Sequence, residues 1–214
     1  MKTVSLTIVL MLACFAQLFA QDKSEFKNAM GATLSEMNTI KDNGAYLDLS
    51  NKFQRISEAE PTEWLPAYYS ALCTTLYSFG EKDKTKVDLL LDQAQTILDK
   101  GLKIKAGESE LWVLQGMLFQ ARIMVDPMAR GQNFSMKANE AFEKAESLNP
   151  ENPRIYFLKG QSVMNMPKMF GGGKEAAKPI FEKAKTKFEN FKPTNEIYPN
   201  WGKDMNEKIL ASCN

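Results

Sequence analysis

A chain of 214 residues with 27 Lys and Arg against 26 Asp and Glu carries a formal charge of +1 and contains no histidine. The charge balance offers nothing for nucleic acid or an anionic membrane surface to hold. The missing imidazole removes the commonest metal ligand and the usual general base, so no Ser-His-Asp or Cys-His arrangement can be built; a non-enzyme with no metal and no cofactor is expected.

The chain opens on Met1-Lys2, an apolar run over 4–12 and Leu18-Phe19-Ala20. This predicts a secretory signal peptide over 1–20, cut after Ala20, and an exported, periplasmic mature chain, 21–214, forming a single helical domain. Lipid anchoring through Cys14, in Leu12-Ala13-Cys14, and full secretion are the alternatives. The apolar run is short for a membrane span, so no stable insertion is expected after cleavage. Cleavage leaves Cys73 and Cys213, which are no disulfide framework and are expected unpaired.

A first helix is expected over 22–40, with Phe26, Met30, Leu34 and Met37 on one face. Asp42-Asn43-Gly44 reads as a turn. Leu49, Phe53 and Ile56 follow at spacings of four and three, with Pro61 five residues on. Residues 62–79 are apolar and aromatic, including Trp64, Tyr68, Tyr69 and Leu72. After a polar turn at 80–84, a helix over 87–104 repeats the spacing with Ala94, Leu98 and Gly101. Ser109 is a candidate cap for a helix running to Val125, with Trp112 and Gly116 four apart. Asp126-Pro127 interrupts, and 128–134 reads as an extended turn. Ala138, Phe142 and Ala145 then share a face, stopped by Pro150. Asn152-Pro153 restarts a helix, Asn as cap and Pro at the first position. Tyr156 and Gly160 form the aromatic-plus-small pair again. Residues 167–173 read as a glycine-rich loop. Ala177, Phe181 and Ala184 restate the stripe, with Pro179 inside it. Residues 193–200 are irregular, and 202–212 predict a short capping helix.

Ala138, Phe142, Ala145 and Pro150, followed by Tyr156 and Gly160, resemble the tetratricopeptide repeat (TPR), whose helix B reads Ala-x3-Phe-x2-Ala with a closing Pro. The resemblance implies an all-α, TPR-like α-solenoid of stacked helical hairpins with a C-terminal capping helix. The central stripe residues fall at 53, 98, 142 and 181, farther apart than the family's repeat of roughly 34 residues. The excess is assigned to enlarged turns between helix A and helix B, at 123–134 and 165–173. Across the mature chain, 125–131, 169–174 and 200–202 resemble small exported TPR-containing proteins of Gram-negative bacteria. That resemblance implies fold and compartment, not a reaction.

The expected function is that of a non-catalytic exported scaffold that binds a protein or peptide. By the resemblance, helix A positions such as Tyr68, Phe157 and Gln161 face the partner. The alternative is a periplasmic binding protein for a small anionic ligand, with a pocket under the enlarged turns. Arg122, Asp126, Arg130 and Phe170 are the candidates at that edge, with Lys174 as a further cation. Gly171-Gly172-Gly173 ahead of Lys174 reads as a flexible turn or, alternatively, a backbone cradle for an anion. Met164, Met166 and Met169 read as adaptable packing or, alternatively, soft ligands for Cu(I). The oligomeric state is left open.

Overall fold

The computed structural model describes residues 24–213, and its ordered elements are all helical. The signal peptide expected over 1–20 and Cys14 lie outside the described residues. A first helix, α1, covers 24–37. It is followed by α2 (Ala45–Ala59), α3 (Trp64–Ser78), α4 (Lys84–Lys105), α5 (Ser109–Val125), α6 (Pro127–Leu148), α7 (Pro153–Asn165), a 3₁₀ turn (Lys168–Phe170), α8 (Lys174–Asn190) and α9 (Lys203–Ala211). Among the described residues no helix is long and apolar enough to cross a membrane.

Each helix from α2 on packs against the next in sequence, and α3, α5 and α7 also touch in succession. These three therefore form an inner row, flanked by α2, α4, α6 and α8. Their sequences explain the position. α3 and α5 are apolar nearly all round and are buried on every side. α4, α6 and α8 bury one stripe each: Ala94/Leu98/Gly101, Ala138/Phe142/Ala145 and Ala177/Phe181/Ala184.

The small-large-small stripes meet glycines on the inner row. A Cβ on Gly116 of α5 would lie 2.2 Å from Phe142 Cε1, and one on Gly160 of α7 would lie 2.7 Å from Phe181 Cε1. Each phenyl ring thus lies directly on a neighbouring backbone that only glycine leaves open. Helix ends follow local chemistry. Asp83, Asp126 and Asn152 accept from the first-turn N–H groups of α4, α6 and α7. Pro127 and Pro153 occupy first positions where no N–H is missed.

Two local expectations are corrected. Residues 128–134 are not an extended turn: Pro127 starts α6 under the Asp126 cap, so the extra length between stripes is helix. Ser109 is not the cap of α5. Glu108 precedes that helix and its carboxylate faces the Glu110 N–H, while Ser109 Oγ donates to Ala145 O at 3.0 Å.

Candidate functional site

The chain leaves α8 at Asn190 and runs through 191–202 without regular structure before α9. Pro193 and Pro199 keep this segment from helix, since each lacks an N–H to donate. It lies across the start of the inner row. Tyr198 Oη donates to Glu108 Oε1 at 2.7 Å, and Tyr69 Oη donates to Ile197 O at 3.0 Å. Trp201 Nε1 donates to Tyr68 Oη at 2.8 Å. The rings of Trp64 and Tyr198 meet edge to face, as do those of Phe157 and Trp201. α3, α5 and α7 are thereby strapped together by a segment far away in sequence.

Under the strap lies a buried ion pair. Arg154 at the start of α7 and Glu110 at the start of α5 are 0% and 1% exposed. Arg154 Nε and Nη2 donate to the carboxylate at 2.7–3.0 Å, and Nη1 donates to Trp201 O at 3.2 Å. Asn152 Nδ2 donates to Glu110 Oε1 at 2.7 Å. The guanidinium also lies 4.5 Å from the Phe191 ring centroid. Burial pushes the Glu110 carboxyl above its ordinary range, and Arg154 pulls it back. Burial also raises the phenols of Tyr68, Tyr69 and Tyr198, so none is a ready proton donor or anionic ligand.

On its outer side the strap forms one wall of a cleft of about 530 Å³, with α9 beside it and α1 opposite. Leu34 and Met37 of α1, Tyr69, Tyr198, Trp201 and Met205 supply apolar and aromatic lining; Lys203 and Lys208 face it with Glu196 and Asp204. A second depression of about 620 Å³, between Glu36 and Arg55, is lined mainly by charged and polar groups. Two of them, Lys52 and Glu36, pair with each other. The first cleft is the one that combines aromatic and aliphatic lining with charged groups, the usual make-up of a small-molecule site. Among the described residues no cluster of His, Cys, Asp or Glu is arranged to hold a metal ion.

The residues expected to face a partner are distributed differently. Tyr68 and Phe157, at 0% and 2% exposure, are covered by the chain's own strap and cannot present a surface. Gln161 is half-buried on α7. Arg122 pairs with Asp92 at 2.8 Å, and Arg130 grips Asp88 with both terminal nitrogens. Arg130 holds the Asp88 carboxyl below its ordinary range. Asp126 caps α6. Lys174 reaches Ser212 O, on the far end of the chain from this group. Arg122, Asp126 and Arg130 are thus brought together around Asp88 and Asp92 as ties of α4 to α5 and α6, while Lys174 lies apart from them.

Phe170, at 68%, stands exposed with Met169 and Met128 on the side where α5 and α7 end. Gln120 of α5 bonds Leu158 O and Ser162 Oγ of α7, which brings those two ends together. The glycine run is a built turn, not a flexible one. Gly171 and Gly173 have φ of 83° and 108°, and a Cβ on Gly172 would meet Met166 O at 2.1 Å. The three glycine N–H groups donate to Lys168, Pro167 and Val163 carbonyls, so none of the three is left to cradle an anion. Among the described residues, Cys73 and Cys213 are free thiols.

The strap, the Arg154–Glu110 pair and the cleft were not expected from sequence. The available signal was compositional: Phe191, Tyr198 and Trp201 are too apolar for an idle surface loop, and Glu110 and Arg154 interrupt otherwise apolar helix starts.

No protein-family model matches the sequence, and no curated protein matches it. Among solved structures, the chain is similar to the HusA haemophore from Porphyromonas gingivalis, with 30% sequence identity and a TM-score of 0.79. The match covers 88% of this chain and 92% of that one. The similarity extends over sequence and fold together and spans nearly all of both molecules, so the chain belongs to the same family as HusA.

Proposed function

We propose that this protein is an exported carrier of a haem-class ligand, held in the cleft between α1 and the strap. The observation that carries this reading is an aromatic- and thioether-walled cleft with lysines at its rim, in a chain of the haemophore's family. A tetrapyrrole is a broad flat apolar ring bearing carboxylates at one edge. Tyr198 and Trp201 offer ring faces and edges for the macrocycle, Leu34, Met37 and Met205 fill around it, and Lys203 and Lys208 offer ammonium groups to the carboxylates. The leader read over 1–20 fits export. The stripe-on-glycine contacts at Gly116–Phe142 and Gly160–Phe181 support a TPR-derived solenoid as the scaffold. The small-ligand reading displaces the peptide-scaffold reading, because the strap occupies the face that a peptide would need.

A second reading draws on a different place. Met128, Met169 and Phe170 are 96%, 83% and 68% exposed where α5 and α7 end, and such apolar side chains suit a protein contact. A carrier must hand over its cargo, so an edge for a protein partner is compatible with the first reading. Arg130→Ala with Phe170→Ala should leave ligand affinity unchanged and reduce partner recovery from cell extracts if that edge is used.

The test of the main reading is absorbance titration of the purified protein with haem, alongside the Lys203→Glu, Lys208→Glu double variant. Wild type should bind stoichiometrically. The exposed charge reversals should leave the fold intact and weaken binding about tenfold or more, a difference of at least 1.4 kcal/mol. Absence of saturable binding by wild type rejects the reading.

A further inference from the structure

A cleft binds a flat ligand more tightly when its walls are already in place, because side chains ordered only on binding cost affinity. The strap has no regular secondary structure, so the rings it carries depend on side-chain anchors for their orientation. Trp201 is fixed twice, by its Nε1 donating to Tyr68 Oη and by its carbonyl accepting from Arg154. Tyr198 is half-buried and is anchored at the far end of its ring, where its Oη donates to Glu108 Oε1 at 2.7 Å. Glu108 lies in the turn between α4 and α5, is 8% exposed and stands outside the cleft lining. Its other oxygen accepts from Lys105 Nζ at 2.9 Å, and that ammonium lies 5.3 Å from the Trp64 ring centroid. Trp64 in turn meets the Tyr198 ring edge to face at 6.0 Å, and Phe191 lies against it at 6.4 Å. The phenol bond is charge-assisted, because a carboxylate accepts it, and such bonds are roughly twice as strong as neutral ones.

We infer that Glu108 is a positioning residue for ligand binding, acting from behind the cleft wall by holding the Tyr198 ring in place. This role rests on the cleft reading above and belongs to a residue that touches no ligand. Without the carboxylate, the phenol O–H has no acceptor in the fold; leaving it buried is costly, so it turns toward water and the ring leaves the wall. Without the phenol, the ring keeps its aromatic neighbours but loses its tether, so the two residues share one effect. Lys105 holds the carboxylate from the other side, with about half of its own side chain in solvent, and its loss leaves the phenol bond standing. Burial, the Glu110 charge and the Glu108 bond, in that order, raise the Tyr198 phenol, which keeps it a donor at neutral pH.

The experiment compares wild type, Glu108→Ala, Glu108→Gln, Tyr198→Phe, Lys105→Ala and the double variant Glu108→Ala, Tyr198→Phe. Each is titrated with ferric haem by absorbance, well below its melting temperature, and its ligand-free form is recorded by near-ultraviolet circular dichroism. Glu108→Ala and Tyr198→Phe should each weaken haem binding about tenfold, and the double variant should lose no more than either single one. Glu108→Gln keeps an acceptor for the phenol and should recover most of the loss, while Lys105→Ala should stay within about twofold of wild type. In the free protein, Glu108→Ala should weaken the tyrosine dichroism and leave the far-ultraviolet spectrum unchanged. Haem affinity of Glu108→Ala within about twofold of wild type would overturn the positioning role while the cleft reading stands. Losses that multiply in the double variant would also overturn it, since Glu108 would then act by a route other than Tyr198. A loss in Lys105→Ala equal to that in Glu108→Ala would overturn it too, by placing the effect in the ion pair. Should Glu108→Ala not fold, Tyr198→Phe decides alone by the same twofold criterion. If wild type does not bind haem, the cleft reading fails and the positioning role fails with it.

Discussion

At the scale of single residues, the Arg154–Glu110 pair carries most of the electrostatic risk in the molecule. Both groups have left water entirely, and each is compensated only by the other and by Asn152, Trp201 O and the flanking rings. Removing one partner strands the other. Arg154→Met should therefore cost about 3–5 kcal/mol in urea unfolding, whereas Arg154→Met with Glu110→Leu should recover most of that loss. Equal costs for the single and double variants would mean that the packing, not the charge, matters here.

The phenols above the pair make a second residue-level prediction. Burial raises Tyr68 and Tyr69 above the ordinary value of about 10, and the same holds for Tyr198. The unfolded chain releases these protons near pH 10, but the folded chain keeps them. Their contribution is thus complete below pH 10 and is lost as pH rises toward the folded values. The urea midpoint should fall between pH 9 and pH 11, and phenolate absorbance of the folded protein should lag that of the protein unfolded in urea. A folded chain whose tyrosines all ionise near pH 10 would contradict the buried strap contacts.

At the scale of elements, the stripe-on-glycine contact sets the spacing between inner and outer helices. Gly116→Ala places a methyl 2.2 Å from Phe142 Cε1, so the ring or the helix must move. We expect a cost of about 1–3 kcal/mol, the usual range for overpacking. Phe142→Ala should cost about 3–5 kcal/mol, and Gly116→Ala should cost much less in a Phe142→Leu background, where the ring is gone. Additive effects would place these residues in separate environments.

This layer was legible in the sequence because α4, α6 and α8 each bury one narrow stripe, and small-large-small spacing on an otherwise polar helix marks the line of close contact with a neighbour. Asn152-Pro153 was legible for a similar local reason, since cap and first turn are adjacent in the chain. α6 was only half legible. Its first two turns, 127–134, carry Gly131 and no buried residue, so periodicity is weak there and the Asp126 cap decides the structure. The strap was not legible at all. Its segment has no period, and its partners are up to 133 positions away, as between Trp201 and Tyr68. The partner face deduced for Tyr68 and Phe157 failed for the same reason: a repeat pattern says which side of a helix is free of its neighbours, not what returns to cover it.

At the scale of the whole molecule, α1 and the strap both line the cleft but are not equally important to the fold. α1 contributes Met30 and Thr33 to the buried set, and its remaining contacts are partial. The strap seals Trp64, Tyr68, Tyr69, Phe157 and Arg154 from water and ties α3, α5 and α7 together by hydrogen bonds. Replacing 191–202 with a Gly/Ser segment of equal length keeps α9 tethered but removes those contacts. It exposes a continuous aromatic face and a charge pair, and should lower the melting temperature by well over 10 °C, because about 1 kcal/mol is worth some 2–4 °C at this chain length. Starting the chain at residue 41 removes α1 instead. That variant loses one wall of the cleft and little of the core, so it should melt cooperatively within about 10 °C of wild type yet fail to bind haem. Differential scanning calorimetry and haem titration on the two variants check both halves. A strap variant as stable as wild type would make 191–202 a mobile cover rather than a structural tie, and undiminished haem binding without α1 would move the site away from this cleft.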